Sequence, residues 1–264
     1  MKRIRPERIY LLFLKLTKRL NDRQMLMLLA VIVGALAGVG TYLFEILLYA
    51  IKNGLTQWFP VDSAHFLFLV YPVVGIVLAS LFVKYIVRDN ISEGVTRVLY
   101  AMSRRNSRIA AHNCWTSVVG GATTIGFGGS VGPEAPIVLT GAAIGSNVGR
   151  LARLNYKHTT LLLCCGAGAA LAAIFKAPIT GVVFVLEILM LDITAGSVIP
   201  LLIASITATT FAFMLRGFDP ILAVTLQPAD AFELWQIPLF ILLGVCCGLM
   251  AWYFTTMNTR VGNI

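Results

Sequence analysis

Apolar segments with the length of membrane-crossing helices recur along this sequence and restrict what it can fold into. The chain is 58% hydrophobic and 12% charged, whereas soluble domains are about a quarter charged. We therefore predict an all-α, polytopic membrane protein. Its candidate spans are residues 25–51, 66–87, 159–175, 177–191, 198–215 and 235–257.

The net charge of +9 is concentrated in two clusters rather than spread over a nucleic-acid-binding face. Six basic residues lie from Lys84 to Arg108, and eight lie within residues 1–23: Lys2, Arg3, Arg5, Arg8, Lys15, Lys18, Arg19 and Arg23. Such clusters beside spans indicate the cytoplasmic side and contact with anionic lipid. We predict a cytoplasmic N-terminus, an amphipathic basic helix in residues 1–23, and no nucleic-acid partner.

Residues 110–149 are apolar on average, but glycines interrupt them throughout, most densely in GFGGSVGPEAP at 126–136. Non-helical backbone at membrane depth is tolerated only where protein covers it or where it lines a wet cavity. The stretch therefore predicts two half-spanning helices separated by a break. The small residues of GAAIGSNVG (141–149) and GAGAALAA (166–173) predict close contact between helices.

An internal repeat is visible between GALAGVGTYLF at 34–44 and GVCCGLMAWYF at 244–254, at a constant offset of 210 residues. Repeats of this kind are typical of transporters built from two related halves. The interpretation is a first membrane repeat at 24–215, a linker at 216–233 and the start of a second repeat at 234–264. We expect the sequence to be a fragment, or a half-length relative, of a larger protein.

Glu134 is the acidic residue with the strongest functional signal, because ionisable groups within membrane segments are costly. It follows Pro133, where a half-helix running to about Gly149 is predicted to begin. The first amides of a helix lack partners and bind anions. A substrate anion and the Glu134 carboxylate would then compete for one site, and protonation would decide between them. The alternative is a buried acid that only caps its own helix.

No cofactor or metal site is predicted. The five cysteines and three histidines show no metal-ligand spacing, and the cysteines suit small core positions. An intramembrane enzyme is the rival class, but the six candidate spans contain none of the G-x-S-x-G, H-E-x-x-H or paired-aspartate patterns of such enzymes. The match GGSVG at 128–132 lies outside them, in the glycine-rich break. We predict a protein that is not an enzyme.

Three stretches resemble the CLC family of chloride channels and chloride/proton antiporters. GSVGPEAP around Glu134 is similar to the family's G-[KR]-E-G-P segment. GAAIGSNVGR at 141–150 and CGAGAALAAIFKAPITGVVFVLEIL at 165–189 agree with the family in order and spacing. Together these stretches cover most of residues 90–215, and the pattern of spans extends the resemblance from about residue 25 to the end.

The resemblance implies a homodimer with one pore in each subunit, in the plasma membrane or the inner membrane of a bacterium. It implies two inverted repeats whose tilted and half-spanning helices point their N-termini at small anions, chloride first, with protons as a second substrate of antiporters. By this similarity Glu134 is the gating carboxylate. The implied anion contacts are Ser92, Gly94, Gly132, Ala135 and Ile137.

The sequence departs from the family pattern at three places. Pro133 replaces the basic residue before the glutamate, and Ala135 replaces the glycine after it. The family's G-S-G-I-P segment corresponds to SEGVT at 92–96, where Glu93 adds an acid and Thr96 replaces proline. Ile188 occupies the position of the antiporters' internal glutamate, next to Glu187. Channel and antiporter remain open, with a fluoride-selective relative or a truncated chain that does not transport on its own as alternatives.

Overall fold

The computed structural model describes residues 22–58, 67–88, 94–190, 194–217 and 236–262. No strand occurs in these ranges. The chain divides into two compact units, Met1–Ile221 and Leu222–Ile264, which are described separately. The predicted amphipathic helix of residues 1–23 lies outside the described residues up to position 21, as does nearly all of the predicted linker.

The described residues form nine α-helices. Eight belong to the first unit and one, α9, to the second. They are α1 (Asp22–Trp58), α2 (Leu67–Phe82, continued by a π-helical turn at Val83–Val87), α3 (Gly94–Arg104), α4 (Asn113–Gly126), α5 (Glu134–Leu151), α6 (Tyr156–Phe175), α7 (Pro178–Ile188), α8 (Ala195–Arg216) and α9 (Gln236–Gly262).

Five helical segments are long and apolar enough to cross a membrane: Asp22–Leu55, Val70–Val87, Tyr156–Phe175, Gly196–Arg216 and Ile237–Val261. They agree with five of the six predicted spans. The sixth prediction, a span at 177–191, is wrong. Helix α7 starts at Pro178 and ends at Ile188, and its 11 residues are too few to cross a bilayer.

The predicted pair of helices with a break between them is confirmed as α4 and α5. Helix α4 ends at Gly126, and Gly128 adopts a left-handed φ of 88° that an L-residue rarely takes. The Gly129 amide donates to the Thr124 carbonyl (2.9 Å), which turns the chain back against α4. Helix α5 then begins at Glu134 and runs to Leu151.

Glycines hold α5 against α6 at backbone distance, as the small-residue pattern predicts. A Cβ atom on Gly141 would clash with the Gly166 carbonyl oxygen, and one on Gly166 would clash with the Gly141 oxygen. One turn along α5, Gly145 meets the Leu162 carbonyl in the same way. Helix α6 is consequently the most enclosed of the helices, with Leu161–Ile174 buried along its length.

Three further contacts tie α8 and the residue after it to α1 and to the end of α6. Gly34 and Gly38 of α1 lie on α8, where an added Cβ would approach the Ala204 and Ala208 carbonyl oxygens to 2.5 and 3.0 Å. Arg216 at the end of α8 forms an ion pair with Glu45 of α1. Lys176 is the left-handed C-cap of α6 and donates to the Gly217 carbonyl (2.9 Å).

The second unit contributes α9, which carries the later copy of the internal repeat. Both copies are helical, with 34–44 inside α1 and 244–254 inside α9. The prediction that the cysteines occupy core positions is confirmed for Cys164 and Cys165 of α6, which are buried. Cys246 and Cys247 of α9 are exposed instead. Among the described residues, no group of three His, Cys, Asp or Glu side chains is placed to hold a metal ion.

Replacing Gly166 with alanine should destabilise the first unit by about 1–3 kcal/mol, because the new methyl group meets a carbonyl that cannot move freely. Gly54→Ala in α1 is the matched control, since an added Cβ there has no heavy atom within 4 Å. The unfolding midpoint in detergent should fall for Gly166→Ala and hold or rise for Gly54→Ala. Equal midpoints for the two variants would contradict the close approach.

Candidate functional site

The start of α5 presents backbone amides without partners. Pro133 is its N-cap, and Pro136 has no N–H to offer. The first helical hydrogen bond runs from the Ile137 amide to the Pro133 carbonyl, at 3.3 Å. No carbonyl or side chain of the described residues accepts from the Glu134 or Ala135 amide. Two donors at the positive end of an 18-residue helix are therefore available to an anion.

The Glu134 side chain folds back toward the turn that precedes its own helix. A Cβ atom placed on Gly132 would coincide with Glu134 Oε2 and lie 2.9 Å from its Cδ. The side chain is half-buried, and among the described residues no cationic side chain pairs with it. The carboxylate thus stays beside the helix start without an ion pair to hold it.

A second helix start meets the first one. Gly94 is the first residue of α3, and a Cβ atom there would clash with the carbonyl oxygen of Ala135. The N-termini of α3 and α5 therefore touch. Each carries partial positive charge from its unpaired amides, so their contact favours a negative charge between or beside them.

A cavity of about 540 Å³ opens at this contact. Helix α4 forms another wall of the cavity, and the end of α2 contributes the exposed Lys84. The wall includes Gly94, Ala135, Pro136, Ser117, Thr124 and Lys84.

Ser117 of α4 is a polar residue of this wall that the sequence did not single out. It is 2% exposed, and its hydroxyl has no hydrogen-bond partner in the described structure. A buried polar group without a partner costs about 1–3 kcal/mol, so a ligand that hydrogen-bonds the Ser117 hydroxyl would offset that cost. A serine in a glycine-rich helix also suits simple close packing, which is why the sequence alone could not distinguish it.

The structure brings most of the predicted site residues to one place. Gly94 and Ala135 line the cavity, while Gly132 and Glu134 form the turn and helix start next to them. Ile137 does not offer its amide to the cavity, because the residue is 1% exposed and the amide already donates within the helix. Ser92 and its neighbour Glu93 lie outside the described residues.

The position of the antiporters' internal acid lies at the end of another helix. Ile188 is the last residue of α7, and both it and Glu187 are exposed. Leu189 caps the helix, and its amide donates to the Val185 carbonyl (3.1 Å). Glu187 carries a carboxylate here, but Ile188 offers no proton-carrying group.

Comparison with known proteins identifies the family. The sequence profile described as "Voltage gated chloride channel" matches residues 75–264, which is most of the chain. The chain belongs to this family. The matched region includes every described residue of the site, and the all-α, multi-pass membrane fold agrees with it.

Similar proteins include an H(+)/Cl(-) exchange transporter ClcA of Vibrio vulnificus, 31% identical over 246 residues. That alignment covers 88% of this chain and 51% of the relative. A ClcB-like chloride channel protein of Ralstonia nicotianae is 28% identical over 185 residues, covering 69% of this chain and 43% of the relative. The chain spans about half the length of the curated relatives that it matches.

Two solved structures share the fold. A slow cyanobacterial Cl-/H+ antiporter superposes with a TM-score of 0.74 at 23% identity, over 89% of this chain and 56% of the other. A CLC-type fluoride/proton antiporter superposes with a TM-score of 0.67 at 28% identity, over 86% of this chain and 55% of the other. These superpositions support the same arrangement of helices.

Proposed function

We propose that this protein transports chloride, or a similar small anion, across the membrane, and that the Glu134 carboxylate gates the pathway. The observation that carries the proposal is the contact of two helix N-termini, at Gly94 and Ala135, beside a cavity with an unpaired buried hydroxyl. The names of the similar proteins, which are chloride channels and chloride or fluoride exchangers, support the substrate class.

The anion is held by dipoles rather than by a buried side-chain cation. The free amides of Glu134 and Ala135 and the dipole of α5 favour a negative charge at the helix start. Such a site binds a dehydrated anion without trapping it, because partial charges attract less strongly than a full charge in a low-dielectric site. Weak binding of this kind is what rapid passage requires.

Glu134 acts as a tethered anion at the same place. Ionised, its carboxylate is attracted to the helix start and occupies the position that the substrate would take. Protonated, it loses its charge and releases that position. The absence of a paired cation among the described residues leaves the carboxylate able to move. The expected result is anion flux that rises as the pH falls.

The proposal extends to the setting of the protein. We infer a homodimer in the plasma membrane, or in the inner membrane if the source is bacterial, with a cytoplasmic N-terminus in contact with anionic lipid. No covalent chemistry is required, so the protein is not an enzyme and needs no cofactor. Proton exchange is tested separately from anion flux, because the exchanger names of relatives favour it while Ile188 favours passive flow.

Glu134→Gln should make anion flux nearly independent of pH, because the amide resembles the protonated acid and cannot ionise. Chloride efflux from liposomes is measured at intervals between about pH 4.5 and about pH 7.5. Wild-type efflux should rise toward the acid end, and the variant should stay high throughout. Asp22→Asn at the start of α1 removes the same charge elsewhere and should keep the wild-type profile.

Two results would contradict this mechanism. The first is a Glu134→Gln profile that follows the wild type across the whole pH range. The second is wild-type protein that inserts in liposomes but passes no anion, which would favour the alternative that this chain does not transport on its own. A pH electrode in the same vesicles shows whether protons move against chloride.

Chloride should pass in preference to fluoride. The fluoride-selective alternative is tested with the same vesicles loaded with either potassium salt and read with ion-selective electrodes. Fluoride efflux that exceeds chloride efflux by tenfold or more, a difference of about 1.4 kcal/mol, would move the assignment to a fluoride exporter. The Glu134→Gln variant is measured in both salts as the control, which shows whether each flux depends on the Glu134 pathway.

Ser117→Ala should weaken chloride binding by about two- to tenfold, the equivalent of one hydroxyl hydrogen bond of about 0.5–1.5 kcal/mol. Ser205→Ala is the matched control, since Ser205 of α8 is also fully buried with an unpaired hydroxyl but does not line the cavity. Titration calorimetry with chloride measures the effect, and Ser117→Thr should retain most of the affinity. Equal affinities for the Ser117→Ala and Ser205→Ala variants would exclude Ser117 as a ligand.

A further inference from the structure

A second cavity, of about 490 Å³, lies at the opposite end of α5 from Glu134. Its walls are the loop that follows α3, the C-terminal end of α5 and the start of α6. Unlike the cavity near Glu134, it is lined mainly by polar and charged side chains: Asn106, Arg108, Arg150, Arg153, Tyr156 and Thr159. We call this cavity the arginine pocket.

Three guanidinium groups share the arginine pocket without an acidic residue among its described lining. The described acidic residues of the first unit are Asp22, Glu45, Glu134 and Glu187, and none of them lines it. Arg150 Nη1 makes one contact, to the Asn147 side-chain oxygen at 3.4 Å, which leaves its charge uncompensated. Arg108 and Arg150 form no ion pair with a described acidic residue, and both are exposed. A bound anion would lower the solvent-screened repulsion between the like charges around the cavity.

The backbone of the pocket is held in place by four hydrogen bonds, of which the two made by Ser146 are buried. Ser146 of α5 donates to the Ser107 carbonyl (2.6 Å) and accepts from the Ile109 amide (3.0 Å). The Ser107 hydroxyl lies 2.6 Å from that of Thr160 in α6. Tyr156 donates to the Met102 carbonyl (2.8 Å), which ties the start of α6 to α3. The loop that carries Arg108 is therefore fixed before any ligand arrives.

Three non-glycine residues in or beside the arginine pocket have left-handed backbone. Asn106, Ser107 and Arg153 have φ values of 48°, 56° and 52°. Such conformations cost of order 1 kcal/mol or more and persist where the surroundings enforce them, often at ligand-binding sites. Two of the three residues, Asn106 and Arg153, line the arginine pocket itself.

The pocket lies where lipid headgroups are found. Tyr156, in its wall, is the first residue of the membrane-crossing helix α6, so the pocket is at a membrane–water boundary. Further cations lie next to the lining residues along the chain: Arg104 ends α3, Arg105 follows it, and Lys157 is the second residue of α6. Basic clusters at span ends mark the cytoplasmic face, where anionic lipids concentrate.

We propose that the arginine pocket binds the phosphate group of an anionic phospholipid. Guanidinium groups form paired, charge-assisted hydrogen bonds with phosphate oxygens that ammonium groups cannot reproduce. Three of them in a rigid frame suit one phosphate together with the hydroxyls of a polar headgroup, which Tyr156, Asn106 and Thr159 can contact. This site is separate from the anion pathway and does not depend on the function proposed above.

Native mass spectrometry of the purified protein in detergent, with added phosphatidylglycerol or phosphatidylcholine, tests the proposal. The triple variant Arg108→Gln, Arg150→Gln, Arg153→Gln should bind phosphatidylglycerol at least tenfold more weakly than the wild type. The matched control is Arg104→Gln, Arg105→Gln, Lys157→Gln, which removes the same charge beside the pocket. It should change the affinity less than twofold.

A lysine triple variant at the three pocket positions separates geometry from charge. It keeps the net charge and should bind with intermediate affinity, because paired hydrogen bonds are lost. Elution as a single symmetric peak in size-exclusion chromatography shows that each variant is folded. Inorganic phosphate supplied alone should compete only weakly with phosphatidylglycerol.

Three outcomes would overturn the proposal. Equal losses in the two glutamine triples would indicate diffuse surface attraction rather than a site. Retention of phosphatidylcholine as strong as that of phosphatidylglycerol would exclude recognition of an anionic lipid. Competition by inorganic phosphate at the same concentration as the lipid would assign the pocket to a free phosphate instead.

Discussion

The close contact between α5 and α6 is the interaction on which the first unit depends. Gly141, Gly145 and Gly166 let the two backbones touch, and no larger residue fits at these positions without displacing a helix. Lipid supplies no hydrophobic force between helices, so this packing has to come from close van der Waals contact. The contact fixes the axis of α5 and with it the positions of everything at its two ends.

The two ends of α5 differ in the groups that can attract negative charge. At the start of α5, free amides, the helix dipole and the unpaired Ser117 hydroxyl act without a buried cation. At its far end, the arginine pocket brings together three full positive charges. Partial charges suit an ion that must leave again, whereas full charges suit a group that stays. On the two proposals made above, a single helix, about 27 Å long at 1.5 Å per residue, separates a site that an anion passes from a site that holds a lipid phosphate.

Much of this architecture could be predicted from the sequence, but only where the signal is local. Pro133 and Pro136 mark the start of α5, the glycines of 126–132 mark the break, and small residues mark the α5–α6 contact. The span predicted at 177–191 is longer than α7, because apolar residues continue past Ile188, where the helix ends. Tertiary packing alone brings Gly94 onto Ala135 and places Arg108 and Arg150 around one cavity, so local patterns cannot give their distances. Ser117 carried no distinguishing pattern at all.

The space beside Gly132 accommodates the tip of the Glu134 side chain, and this bears on the gating role proposed for Glu134. A single methyl group at position 132 would occupy the volume where the Oε2 atom now lies. Since that oxygen is the tip of a flexible side chain, the carboxylate would swing aside rather than break the turn. Alanine at position 132 would keep the carboxylate away from this position while the carboxylate still carries its charge. The position of the Glu134 carboxylate and its protonation state could thereby be varied independently.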